Sequence, residues 1–398
     1  MKIYDGKNVP IKSWCGDPEQ GVLDQAYNLS SLPFIFKQVC LMPDTHQGYG
    51  MPIGGVLATK DVIIPNAVGV DIGCGMCAVK TSLTDIDTNT LKKIMGEIRK
   101  AIPVGFNHNK KKQDEKLMPK KAIADNIFSY SVISKEFNSA LYQLGTLGGG
   151  NHFIEIQKDN EKNIWVMVHS GSRNLGKKVA DYYNKMAIEL NRKWHSSVLK
   201  EWQLAFLPAD SDEGRAYLRE MQYCVDFALS NRKLMMNKIL DIIDSHFCDY
   251  ENYKSSKNEF KSMINIAHNY VSLENHFGQN VYVHRKGATL AREGIVGIIP
   301  GSQGTNSYIV KGLGNKESFM SCSHGAGRKM SRTKAIENLS LEEEKQKLDN
   351  LGIIHNIRNI NDLDEASSAY KDINVVMEEQ KDLVDIFVEL SPLGVIKG

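Results

Sequence analysis

Short β-forming runs bounded by glycine fill residues 35–80, 145–170 and 281–324, and a long helical stretch from Asn174 to about His246 separates the last two. That order constrains the fold more than any other feature of the chain. A doubly wound α/β sheet needs strands and helices in regular alternation. Here they do not alternate, so the sequence predicts an α+β protein. No internal repeat, low-complexity tract or Pro/Ser linker marks a boundary, and residues 1–398 are expected to form one large domain with the helical excursion, about 174–250, as a hairpin within it.

Val62-Ile63-Ile64, Ile164 to Val168 and Ile295 to Ile299 read as buried strands. Asp87 is placed to cap a helix whose apolar positions Leu91, Ile94, Met95, Ile98 and Ile102 keep helical spacing up to Pro103. In the excursion, Val179, Tyr182, Met186, Leu190 and Trp194 form one stripe. Leu218, Met221, Val225, Leu229, Met236, Ile239 and Ile243 form another, and Pro208 separates the two. Ser340-x-x-Glu343 is a capping box for a later helix ending near Gly352.

Composition excludes little. The charge balance, +2, argues neither for nor against a nucleic-acid partner. The six lysines of NHNKKKQDEKLMPKK, 107–121, read most simply as a solvated loop. No apolar run reaches transmembrane length and MKIYDGKNVP carries no signal-peptide core, so a cytoplasmic protein without a membrane partner is expected. The seven cysteines, at 15, 40, 74, 77, 224, 248 and 322, form no closely spaced framework and read as core residues or metal ligands.

Chemistry concentrates where apolar runs meet glycine. VGVDIGCGM, 68–76, sets Asp71 and Cys74 in one tight turn. His152 follows the glycines of GTLGGGNHFIEI, His169 ends IWVMVHSGSR, His268 lies in IAHNY and His324 in SCSHGAGRKMSR. Singly, each histidine reads as a hydrogen-bonded core or rim residue. Together, one carboxylate, one thiol and three imidazoles suffice for two metal ions, particularly with a bridging sulfur. Mixed O, N and S donors suit Mn, Zn, Fe or Co rather than Mg. Cys74 and Cys77 make only one C-x-x-C pair, so a zinc finger is excluded and Cys77 is assigned to the core.

GGGNH, PGSQGTNS (300–307) and HGAGR (324–328) are loops whose bare amides can approach phosphate, with Arg173, Lys286, Arg328 and Arg332 beside them. GSRNLGKK, 171–178, nearly spells a P-loop, but Lys178 stands where a Mg-binding Ser or Thr is required. Lys2 to Gly6 is one residue too long for a K-x-D-G nucleotidyl-transfer motif.

With MPDTHQGYGMPIGG, HRKGAT, PGSQGTNSY and the terminal VIKG, these blocks occur in an order that resembles the RtcB family of RNA ligases over nearly the whole chain. The resemblance implies a mixed α and β fold. It also implies joining of RNA 3′-phosphate or 2′,3′-cyclic phosphate ends to 5′-hydroxyl ends, with GTP and two Mn²⁺ ions, in tRNA splicing or RNA repair. By it, Asp71, Cys74, His152, His169 and His268 are metal ligands, Cys74 is shared, and His324 is the nucleophile that takes GMP. The nucleotide pocket falls to Asn151, Glu155, Asn269, Pro300, Gly301, Ser302, Ser307, Gly325, Ala326, Gly327, Tyr370 and Lys397. Candidates for RNA or phosphate contact are Asp44, His46, Arg173, Lys286, Arg328 and Arg332. An archease-type activator is an implied partner. DEASSAYKD, 364–372, departs from the proline-containing acidic stretch of many relatives, which bears on substrate preference and on that activator. A dinuclear metallophosphoesterase and a non-catalytic RNA-end-binding protein are the competing readings.

Overall fold

The computed structural model describes residues 1–120, 131–247, 255 and 262–398. Lys121, Cys248 and the end of the helical excursion at 248–250 lie outside the described residues. Two main sheets carry the chain. The first runs in the spatial order Lys2–Tyr4, Ile11–Ser13, Ile35–His46, Ile53–Thr59, Gln279–Lys286, Asn269–His276. The second runs Ile264–Ala267, Gly75–Lys80, Ile164–Ser170, Phe153–Asp159, Val384–Lys397, Ser307–Gly312, Val296–Ile299. Every strand pair in the second is antiparallel. In the first only Ile11–Ser13 beside Ile35–His46 is parallel. Antiparallel neighbours need no helical crossovers, which is why strands and helices need not alternate in sequence. The fold is mixed α and β.

The strands read from sequence form at Val62–Ile63, Ile164–Ser170 and Val296–Ile299. Asp87 caps Thr88–Ala101 by accepting from the amides of Asn89 and Thr90, and Ser340 caps Leu341–Asn350. Two long helices, Arg173–Lys193 and Asp212–Phe247, pack against each other, and Pro208 sits in a short strand between them. The first buries only part of the face that the large apolar residues suggest: Val179 is in the core and Met186 and Leu190 pack against it, but the face is completed by other residues. Val179, Ala180, Tyr183 and Ala187 are buried, whereas Tyr182 and Trp194 are each 46% exposed. Small alanines let the helix approach closely, and the Tyr183 ring lies 5.3 Å from that of Tyr217 on the second helix.

The second helix underpins the site. Its Met235, Met236, Ile239, Leu240 and Ile243 are fully buried against the second sheet's Val79, Val166 and Val168, each contributing about 1.5–3 kcal/mol of burial. From the same helix the fully buried Arg232 reaches the strand ends. It donates to Gly73 O (3.0 Å), to Ser170 O (2.7 Å) and to Asn265 Oδ1 (2.8 Å).

Candidate active site

Four of the five candidate ligands stand at strand ends of the second sheet. Cys74 precedes Gly75–Lys80, His152 precedes Phe153–Asp159, and His169 lies near the end of Ile164–Ser170, paired with both Met76 and Phe153. His268 is the single residue between Ile264–Ala267 of the second sheet and Asn269–His276 of the first. The centre therefore sits where the chain steps from one sheet to the other. The glycines around Cys74 follow from crowding. Gly73 has φ +74 and packs on the backbone of Val225, and a Cβ at Gly75 would collide with the carbonyl of Ile266.

Two groups of potential metal donors form, Asp71–Cys74–His152 and Cys74–His169–His268, with donor atoms in each within 4.8 Å of one another. Cys74 belongs to both. Its Sγ lies 3.4 Å from His152 Nε2 and 3.2 Å from His169 Nε2, and the latter lies 3.4 Å from His268 Nε2. His152 Nδ1 donates to Leu147 O and His169 Nδ1 to Asn151 O. A carbonyl only accepts, so in the neutral rings both Nε2 atoms are bare lone pairs facing the sulfur. Nδ1 of His268 is buried without a hydrogen-bond partner. Burial, then crowding by neighbouring imidazoles, keeps His169 and His268 neutral far below the usual histidine range. Burial and the Asp71 charge drive the Cys74 thiol well above its ordinary value, a balance that a cation in contact inverts. Convergent lone pairs on soft and borderline donors, with His152 and His169 braced through their other nitrogens, fit one or two transition-metal ions. Asp71, with 35% of its side chain exposed, leaves the centre open on one side.

His324 completes the cluster. It follows the short strand Ser321–Ser323, and its ring centroid lies 4.7 Å from that of His268. Oδ2 of the fully buried Asp44 accepts from His324 Nδ1 (2.6 Å), His324 N (3.0 Å) and Gly325 N (3.3 Å). The tautomer is thereby fixed with Nε2 unprotonated in the neutral ring.

A model of the family described as tRNA-splicing ligase RtcB matches residues 25–398. The chain belongs to the RtcB family. It is 39% identical to RNA-splicing ligase RtcB of Escherichia coli over 411 residues, covering 100% of this chain and 99% of the relative. It is also 31% identical to tRNA-splicing ligase RtcB of Thermococcus kodakarensis over 442 residues, with 94% and 91% covered.

The remaining candidate pocket residues lie around this centre. Glu155, Ser307 and Lys397 lie together on adjoining strands. Gln157 Nε2 bridges Glu155 Oε2 (2.6 Å) and Ser307 Oγ (3.1 Å), and Ser307 Oγ also accepts from Gly301 N. Burial raises Glu155 to about 8 against the pull of Lys397. The PGSQGTNS loop after Pro300 is closed by Ser302 Oγ, which meets Thr305 and Ser367. Gly325, Ala326 and Gly327 lead from His324 to Arg328, whose guanidinium stands 5.1 Å over the Tyr370 ring. The Asn269 amide is taken up by the scaffold, donating to Asp71 O and accepting from Gly287 N.

Among the candidate RNA contacts, Arg173 donates to Thr146 Oγ1 and Gly105 O, and its charge bears on Asp71. His46 rests its Nδ1 on Asp44 O. Lys286 is buried, with its ammonium donated to Tyr49 O (2.6 Å) and Asn66 O (3.2 Å) rather than offered to solvent. Arg332 is half exposed.

Two residues escaped sequence reasoning. Arg232 is one. Glu365 is the other: buried, it accepts from the Tyr370 hydroxyl and from Arg332 Nε (2.7 Å), and it pairs with Arg328 (3.3 Å) and Lys397 (3.9 Å). It borders a small cavity with Lys397, Gln303, Asn356 and Asp364. The acidic pair opening DEASSAYKD was its only sequence signal.

Proposed function

We propose that this protein joins RNA 3′-phosphate or 2′,3′-cyclic phosphate ends to 5′-hydroxyl ends with consumption of GTP, through a GMP carried on His324. The observation that carries the proposal is His324 with its Nδ1 on a buried carboxylate at 2.6 Å and its ring against His268, a member of the donor cluster. Asp71, Cys74 and His152 would hold one metal ion and Cys74, His169 and His268 a second; membership of the RtcB family favours Mn²⁺. Bound there, the ions supply Lewis-acid neutralisation of charge on phosphate oxygens.

Asp44 holds the Nδ1 proton, so the Nε2 lone pair is the nucleophile toward the α-phosphorus of GTP. A P–N bond forms as the bond to pyrophosphate breaks, and the Asp44 carboxylate balances the positive charge on the ring. Transfer of GMP from His324 to the RNA 3′-phosphate restores the neutral imidazole. The 5′-hydroxyl then attacks that phosphate and GMP leaves. A cyclic end is opened by water first. The residues from Gly325 to Gly327, Ser302, Ser307, Glu155, Tyr370 and Lys397 surround the guanine nucleotide, with Asn151, Asn269, Pro300 and Gly301 completing the pocket. Arg173, Arg328, Arg332 and His46 lie toward the RNA, whereas Lys286, held on Tyr49 O and Asn66 O, serves the scaffold. An archease-type activator and a cytoplasmic setting accompany this reading.

The test is incubation with α-labelled GTP and Mn²⁺. Acid-labile, alkali-stable label is expected on the wild type and at background on His324→Ala. Equal labelling of the two removes the proposal, because a metallophosphoesterase or an RNA-end-binding protein has no use for this histidine.

A further inference from the structure

Phe106 is fully exposed, the most open of the large apolar side chains among the described residues. Single apolar residues at a surface are ordinary; three observations set this one apart. First, its loop is pinned rather than loose. Gly105 N donates to Gly148 O (2.7 Å), Asn107 N to Val104 O (3.2 Å), and Asn109 holds Tyr142 O (2.9 Å) and Leu144 O (2.7 Å). Second, the loop abuts the donor cluster. Gly148 belongs to the glycine run that ends on His152, and Gly105 O accepts from Arg173, whose charge acts on Asp71. Third, a basic run begins four residues on: Lys110, Lys111 and Lys112 are exposed, and Lys112 touches Asn138.

A rigidly presented aromatic face beside a line of cations is what a single-stranded nucleic acid engages, bases on the ring and phosphates on the lysines. We infer that Phe106 is a stacking platform for a base of an RNA strand entering the metal centre, and that Lys110 to Lys112 track that strand's phosphates. The inference rests on the RNA-ligation reading above for its partner. It assigns the 107–112 stretch, otherwise a solvated loop, to substrate binding.

The test compares wild type, Phe106→Ala and Phe106→Trp in fluorescence anisotropy with two labelled single-stranded RNAs, one ending in a 3′-phosphate and one beginning with a 5′-hydroxyl. Phe106→Ala is expected to weaken at least one of them about tenfold and to raise its KM in ligation more than it lowers kcat. Phe106→Trp is expected to bind like wild type and to lose indole fluorescence when RNA is added. Replacing Lys110, Lys111 and Lys112 by Gln is expected to flatten the salt dependence of binding, with a change in log–log slope of about 2. Unaltered affinity of Phe106→Ala for both strands, as a protein-docking role for the ring would give, overturns the inference. So does an indole signal in Phe106→Trp that RNA leaves unquenched. GTP labelling of the wild type separates the two readings: its absence sinks the ligase mechanism, while the binding data still decide Phe106.

Discussion

Replacing Arg232 by Met probes how a helix buried behind the sheet braces the Asp71/Cys74/His donor cluster. Three charge-assisted hydrogen bonds disappear, to Gly73 O, Ser170 O and Asn265 Oδ1. At ~1.5–3 kcal/mol each they are worth roughly 5–9 kcal/mol gross. Removing a buried cation also returns several kcal/mol of desolvation, so the expected net loss is about 2–4 kcal/mol. With unfolding entropy of about 2.1 cal/mol/K per residue, that lowers Tm by roughly 2–5 °C for a chain of 398 residues. The effect on metal affinity is the larger one. Gly73 immediately precedes Cys74 and Ser170 follows His169, and the Arg232 charge also eases ionisation of the Cys74 thiol. Loss of such bracing costs roughly 10- to 100-fold in affinity. Mn²⁺ titration followed by calorimetry or EPR measures this. Ile239→Ala, on the same helix and fully buried, serves as the control; it is expected to lose about 2–5 kcal/mol of stability with its Mn²⁺ affinity intact. Wild-type affinity in Arg232→Met, or an equal loss in Ile239→Ala, refutes the bracing argument.

Cys74→Ala removes the donor common to both groups, and a Mn²⁺ titration is expected to show loss of tight binding at both positions, whereas His152→Ala weakens one. Glu155 gives a pH prediction. Its folded pKa is raised to about 8 from an ordinary 4.5, so between those values the unfolded chain releases a proton that the folded chain keeps. Stability is therefore highest below pH 4.5 on this account and falls as pH rises toward 8. Glu155→Gln is expected to be the more stable protein at pH 8, with the gap closing toward pH 5, as read by denaturant titration.

The donor cluster was legible because four of the five candidate donors stand at strand ends beside glycine or a small polar residue, as in Cys74 before Gly75 and His152 after Asn151. The irregular order of strands and helices was legible for the same local reasons. What the sequence hid was tertiary. Arg232 lies in a helix with charged residues around it and reads as a solvated cation; only the approach of three strand ends gives it partners. Glu365 reads as one acid of a polar stretch until Arg328 and Arg332 from one segment and Lys397 from another converge on it. Of the stripe expected on Arg173–Lys193, Val179, Met186 and Leu190 pack on the core but Tyr182 and Trp194 do not, because close packing selects Ala180, Tyr183 and Ala187 instead.

His268 occupies a one-residue step between two separate sheets. An ion gripped by its imidazole together with Cys74 and His169 would rivet those sheets across their seam, so loading and stiffening become a single event. Any flexing of one sheet against the other would be felt first at this nitrogen, beside the ring of His324, the residue proposed to attack phosphorus.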